Sequence, residues 1–272
     1  MLLSMGTLAW GQAARGFQPP RLANGKPDLN GIWQALGPWH YELERHNARH
    51  SMMEREGPYG PLPAVPMLRL GAVGSVPGSI GVVEGGKIPY KPEAAAKREE
   101  NRKNWLDRDP EIKCYMPGVP RAMYMPFPFQ IVQNTSSLFM AFEFAGAFRD
   151  IYFKDPGPAE TDSWMGLSYG KWEGDTLVII TTGQNDSTWF DRSGTHHSNQ
   201  LKVTERITMI SPNHLNYEAT MEDPEVFTAP WKISLPLYRR IEPGARLMDF
   251  KCTEFVEELI FGEYRRKPLP RP

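Results

Sequence analysis

The stretch from Gly170 to Ile210 constrains the fold more than any other, because it reads as strand, tight turn, strand, long polar loop and strand with no helix between them. Lys171 to Ile180 sets Gly174-Asp175 between apolar runs, and a turn pair of this kind flanked by alternating residues marks a hairpin. Gly183 to Gln200 then gathers Asn185, Asp186, Asp191, Arg192, His196, His197 and Ser198 around Trp189 and Phe190, and alternation resumes at Leu201. A long loop rich in titratable side chains and held between strands is expected to carry function.

The same alternation recurs on both sides of this stretch. Phe129 to Gln133, Leu138 to Phe144, Phe148 to Phe153, His214 to Glu222, Val226 to Tyr238 and Arg246 to Thr253 all read as strands, with Pro212-Asn213 and Pro243-Gly244 as turns. About eight consecutive strands joined by short turns predict a mainly-β fold. The expected form is an antiparallel meander closed as a lipocalin-like barrel, since closure removes exposed edges.

The first half reads differently. Many of the 26 prolines and 24 glycines fall there, which favours irregular wrapping segments over long helices. Gln18 to Trp33 is a proline-punctuated lead-in that ends on a candidate first strand, Gly31-Ile32-Trp33. Trp39 to Glu56 has helix-compatible spacing and is expected to form a charged, solvated helix. His46 and His50 would share one of its faces, without the glutamate of a zinc-protease pair. Gly57 to Pro92 reads as a surface loop, Pro92 to Leu106 as a short helix and Glu254 to Tyr264 as an amphipathic terminal helix. The expected organisation is a signal remnant over 1–14, straps and short helices over 15–125, and the barrel with its terminal helix over 126–272.

Thirty-one basic and 32 acidic residues give a net charge of −1 with no basic stripe, so nucleic acid is excluded as a partner class. The apolar start, with small residues at Gly11 and Ala13, is similar to the end of a secretory signal, although it has no basic leading region. No other run approaches the ~20 apolar residues of a membrane helix. A periplasmic or secreted location is therefore expected. Cys114 and Cys252 are the only cysteines; they form a disulfide in an oxidising compartment, or are two buried thiols in a reducing one.

Period-two alternation sorts each strand into faces. Leu201, Val203, Glu205, Ile207 and Met209 share one face, which sets Glu205 in the middle of an apolar row. A carboxylate there is either tuned for acid–base chemistry or paired with an inward cation such as Arg149 or Arg121, and the alternation supports both readings. Trp231, Ile233, Leu235 and Leu237 form a large apolar lining, while Arg149 and Tyr152 fall on opposite faces of their strand. Aromatic walls with a few charges have the composition of a small-molecule pocket. Trp189, Asp191, Arg149, Tyr152 and Trp231 are the candidate substrate-binding residues.

Either His196 or His197, oriented by Asp186 or Asp191, would make a proton shuttle near neutral pH. A metal set of Asp186, His196 and Glu205 has the right chemistry but no recognised ligand spacing. The chain has no nucleophile elbow, phosphate loop or dinucleotide fingerprint, so no cofactor is expected.

Four phrases, Pro27 to Trp33, Cys114 to Arg121, Trp172 to Leu177 and His197 to Arg206, resemble a family of secreted bacterial proteins, and the resemblance covers nearly the whole chain. It implies export and carries no activity or site residue. The residues themselves suggest an exported, cofactor-independent lyase or isomerase acting on a small apolar or aromatic molecule. Glu205 and a loop histidine, with Asp186, would be its acid–base groups. The alternatives are a binding protein for an apolar ligand and a metal-dependent hydrolase. A homo-oligomer is compatible with each.

Overall fold

The computed structural model describes residues 16–50, 53–57, 60–64, 75–250 and 252–254. Nine strands close into one barrel: β1 (Gly31–Ala35), β2 (Phe129–Gln133), β3 (Ser137–Phe142), β4 (Phe148–Tyr152), β5 (Leu167–Glu173), β6 (Thr176–Thr182), β7 (Lys202–Ser211), β8 (His214–Glu222) and β9 (Trp231–Arg239). The order follows the chain around the barrel, and β1 closes it by pairing with β2 on one side and β9 on the other.

The expected antiparallel-only sheet is corrected by one pair. β4 and β5 run parallel, Ile151 opposite Ser168 and Tyr152 opposite Tyr169, whereas all other neighbours are antiparallel. Nine strands cannot close with alternating directions throughout, so an odd barrel must contain a parallel step. Here the long connection between Tyr152 and Leu167 carries the chain back to start β5 in the same direction as β4.

Closure by β1 also explains why Arg246 to Thr253 is not the strand its composition suggests. Trp33 pairs with Arg239 and Ala35 with Leu237, so the outer edge of β9 is taken. Beyond the turn at Pro243-Gly244 the chain instead crosses the end of the barrel. Met248 N–H donates to Glu143 at 2.9 Å, Phe250 packs on Phe127 and Phe144, and Cys252 is bonded to Cys114 with Cα atoms 5.7 Å apart. The disulfide fits an oxidising, non-cytoplasmic setting. Gly31 is required at the closure: its φ is +138°, and a Cβ there would lie 2.2 Å from the Arg239 guanidinium, which sits over the Trp33 ring.

The helix expected over Trp39 to Glu56 is replaced by a 3₁₀ turn, Pro38–His40, and by extended segments. His46 exchanges backbone hydrogen bonds with Ser79, and Arg49–His50 pairs with Ser75–Val76. Cross-strap bonds thus take the place of the helical ladder. Within the stretch read as a surface loop, Gly60–Ala64 pairs with Met53–Gly57 as a hairpin. Helix α1 (Pro92–Lys103) and the short α2 (Trp105–Arg108) stand where proline, an early acid and strong helix formers place them. The apolar start over 1–14 and the terminal helix beyond Glu254 lie outside the described residues. No described helix is long and apolar enough to cross a membrane.

Inside the barrel, alternate residues interdigitate: Trp33, Phe129, Leu138, Ile151, Ile179, Val203, Tyr217 and Ile233 are all sealed from solvent. Outer positions on β7, β8 and β9 are half-buried in strict alternation, as period two requires.

Candidate functional site

Glu205 lies within the barrel, opposite Ile179 on β6 and Ala219 on β8. Its carboxylate is the centre of a closed network. Arg149 of β4 reaches it with both terminal nitrogens, Nη1 to Oε1 at 3.1 Å and Nη2 to Oε2. Tyr217 donates its hydroxyl to Oε1 at 2.8 Å. Arg149 Nε donates to Ser168 Oγ at 2.8 Å and the second Nη2 hydrogen to Thr181 Oγ1 at 2.6 Å. Burial, reinforced by the Glu205 charge, holds the Tyr217 phenol well above its ordinary pKa, so it stays a donor. Of the two roles open to Glu205, the geometry is that of the ion pair with Arg149.

The polar loop is a buried plug. Residues 188–197 are all buried, and the straps are fastened to them. Asp191 accepts from Ser193 N–H and Oγ–H and from Thr195 N–H through one oxygen, and from Leu43 N–H at 3.0 Å through the other. Gln184 and Val119 exchange hydrogen bonds at 2.7 and 3.0 Å. Tyr124 donates to Phe190 O at 2.9 Å.

His197 is fixed in one tautomer by this packing. Its Nδ1 faces the Ser198 carbonyl at 2.8 Å, which can only accept, so Nδ1 carries the proton and Nε2 accepts from Thr188 Oγ–H at 2.6 Å. Burial lowers the pKa of His197, and burial followed by Lys97 lowers that of His196 to about 4. Both are therefore neutral at pH 7. Gly118, with φ +71°, lies so close that a Cβ would sit 2.6 Å from Thr188 Oγ1. Gly118→Ala is expected to cost about 1–3 kcal/mol, through left-handed backbone strain and a displaced Thr188. Urea unfolding checks this, and a loss below about 0.5 kcal/mol would mean that the strap yields freely.

The expected residues therefore end in separate places. Glu205 and Arg149 share one network, while His197 belongs to another with Thr188 and Ser198. Trp231 is buried and meets Phe190 and Phe227 edge-on at 5.5 and 5.4 Å. Trp189 is buried and bridges to His196 across the loop. Tyr152 is on the outside, 43% exposed, and Asp186 is also exposed. Among the described residues no group of three or more His, Cys, Asp or Glu could hold a metal ion.

A second buried charge network was not legible in the sequence. Glu111 accepts from Arg192 at 2.9 and 3.1 Å and from Arg121, and Arg121 Nη1 is 3.5 Å from Asp109. Burial would raise the Glu111 pKa, but the Arg192 and Arg121 guanidiniums outweigh it and hold the carboxyl at about 2. His40 sits beside this network, 1% exposed, and neither ring nitrogen is hydrogen-bonded to a described residue. Asp109, Glu111 and Arg121 are single charges in proline-rich straps, without any periodic signal that would join them to Arg192 of the polar loop.

One open groove is formed where the straps leave the barrel. Ser234 N–H donates to Val82 O at 3.0 Å on the side of β9 away from β8. Pro236, two residues on, faces the same side and has no N–H to give, so it cannot donate a backbone bond to the chain that leaves β1 at Ala35. Leu36 to Trp39 and Gly78 to Gly85 diverge over the outer face of β8 and β9 and enclose about 750 Å³. Leu36, Pro38, Trp39, Ile80, Val82 and Pro236 supply apolar surface, and Glu84, Glu218 and Lys232 are the charged residues of the lining. Leu36 and Ile80 are 62% and 68% exposed, so the groove presents apolar surface to solvent.

The class of molecule these features define is a mixed nine-stranded β-barrel with an aromatic-lined interior, compatible with small-molecule binding. No family model, curated protein or solved structure matches the chain.

Proposed function

We propose that this protein binds a small, largely apolar molecule in the groove between the straps and the outer face of β8 and β9. The observation that carries this reading is the groove itself: about 750 Å³, within the range of small-molecule sites, apolar in most of its lining and polar in one small group of side chains. Export to an oxidising compartment goes with it, supported by the disulfide and by the resemblance to secreted proteins.

Binding is favoured over acid–base turnover at Glu205. A general base must reach a substrate proton, and every Glu205 contact described is to Arg149 or Tyr217 inside a packed barrel. A metal-dependent hydrolase built from Asp186, His196 and Glu205 is disfavoured because Asp186 is exposed while Glu205 is within the barrel.

Ser234 projects into the groove, and its backbone bond to Val82 does not depend on its side chain. With the neutral fluorescent probe N-phenyl-1-naphthylamine, the wild type is expected to show saturable binding, and Ser234→Trp is expected to weaken it at least about tenfold, by filling the space. Undiminished binding in a folded Ser234→Trp variant, or no saturable binding in the wild type, would reject the groove.

A further inference from the structure

We infer that the ligand of this groove is a cationic amphiphile, with an apolar body against Leu36, Trp39 and Ile80 and an ammonium-like head at Glu218. The inference rests on the groove reading above and adds the chemical class. Three charged side chains line the groove: Glu84, Glu218 and Lys232. Two carboxylates against one ammonium leave an excess of one negative charge.

The geometry shows which carboxylate is the less fully paired. Lys232 Nζ bonds Glu84 Oε2 at 2.5 Å and stands 3.9 Å from Glu218 Oε1, beyond hydrogen-bond distance. The Glu218 carboxylate accepts no hydrogen bond from a described residue, and its ion pair with Lys232 is the longer of the two that Lys232 makes. Arg206, opposite Glu218 across the β7–β8 ladder, is bonded instead to Glu173 at 2.8 Å. Glu218 is 28% exposed at its side chain and lines the groove, where a partly buried carboxylate is screened less than on open surface. An anionic head would meet Glu218 and Glu84 with only one cation to share. A cationic head would complete the pairing, and the apolar lining would take its chain.

Three probes with the same ten-carbon chain separate the possibilities by isothermal titration below their micelle concentrations: decyltrimethylammonium, decanol and decanoate. Decyltrimethylammonium is expected to bind about tenfold or more tighter than decanoate at pH 7, with a gap that narrows in high salt. Glu218→Gln is expected to weaken the cation about fivefold or more and leave decanol unchanged. Glu84→Gln, which frees Lys232 to turn to Glu218, should weaken it in the same direction and serves as the second variant. Decanoate or decanol binding as tightly as the cation would overturn the charge assignment while leaving the groove intact, and so would an unchanged cation affinity in both folded variants. Failure of all three probes to bind would overturn the groove reading together with this inference.

Discussion

Glu205→Ala is expected to destabilise the protein by about 3–5 kcal/mol, because it leaves a buried guanidinium without its counter-charge. Arg149 is 3% exposed, and Ser168 and Thr181 hold it inside the barrel, so it cannot turn out to water. The Tyr217 hydroxyl loses its acceptor in the same step. The paired replacement Arg149→Met with Glu205→Leu should behave differently. Removing both charges spares the desolvation of each, and apolar side chains of similar size fit a barrel already lined with aliphatic and aromatic groups. The double variant should therefore return to within about 1 kcal/mol of the wild type or exceed it. Urea unfolding of the two singles and the double gives the coupling. A Glu205→Ala loss below about 1 kcal/mol, or a double variant as unstable as that single, would show that the pair is not what fastens β4 to β7. Probe binding in the groove should be unaffected in any of these variants that folds, because no groove-lining residue is touched.

The contents of this interior were legible where a local rule decides them. Alternation places Leu201, Val203, Glu205, Ile207 and Met209 on one face, and all five are buried. Gly174-Asp175 marks the β5–β6 turn because its glycine takes φ +60° between Glu173 and Thr176, which pair directly. Cys114 and Cys252 are joined as an even pair in an exported chain would be. That the sheet closes was legible from the run of alternating strands, but the way it closes was not. It depends on β1, which is separated from β2 by the straps and helices and carries only five residues, and no local pattern tells a short strand which edge it will join.

The polar loop shows the same limit. Its histidines and Asp191 resemble an exposed site in sequence, but Leu43, Val119 and Arg121 arrive from distant straps and close over that part of the loop, leaving Asp186 outside. The groove is less legible still, since it exists only where the segments 36–39 and 78–85 cross the outside of β8 and β9.

Stability is expected to fall steeply as pH drops below about 6.5, because three of the six histidines are buried in their neutral form. Burial lowers His40 to about 3, with Glu111 opposing and Arg192 and Arg121 assisting; it lowers His196 to about 4 and His197 in the same direction. The unfolded chain takes up these protons near pH 6.5, whereas the folded chain resists until far lower pH. The stabilisation is thus complete above the unfolded value and is lost as pH falls through that window toward the folded values. Each histidine contributes a slope of up to about 1.4 kcal/mol per pH unit. Glu111, held at about 2, adds a further loss only below its unfolded value of about 4.3. Asp109 works the other way, since burial raises its pKa and protonation relieves it. Urea midpoints between pH 7.5 and 4.5 measure the slope, and His40→Phe isolates one share of it. Phenylalanine keeps a ring against Tyr41 and removes two buried nitrogens that have no hydrogen-bond partner among the described residues, so stability at pH 7 should hold or rise while the acid slope falls by about one third. A midpoint that stays flat from pH 7 to 5, or a His40→Phe slope equal to that of the wild type, would mean that these rings reach water and titrate normally in the folded protein.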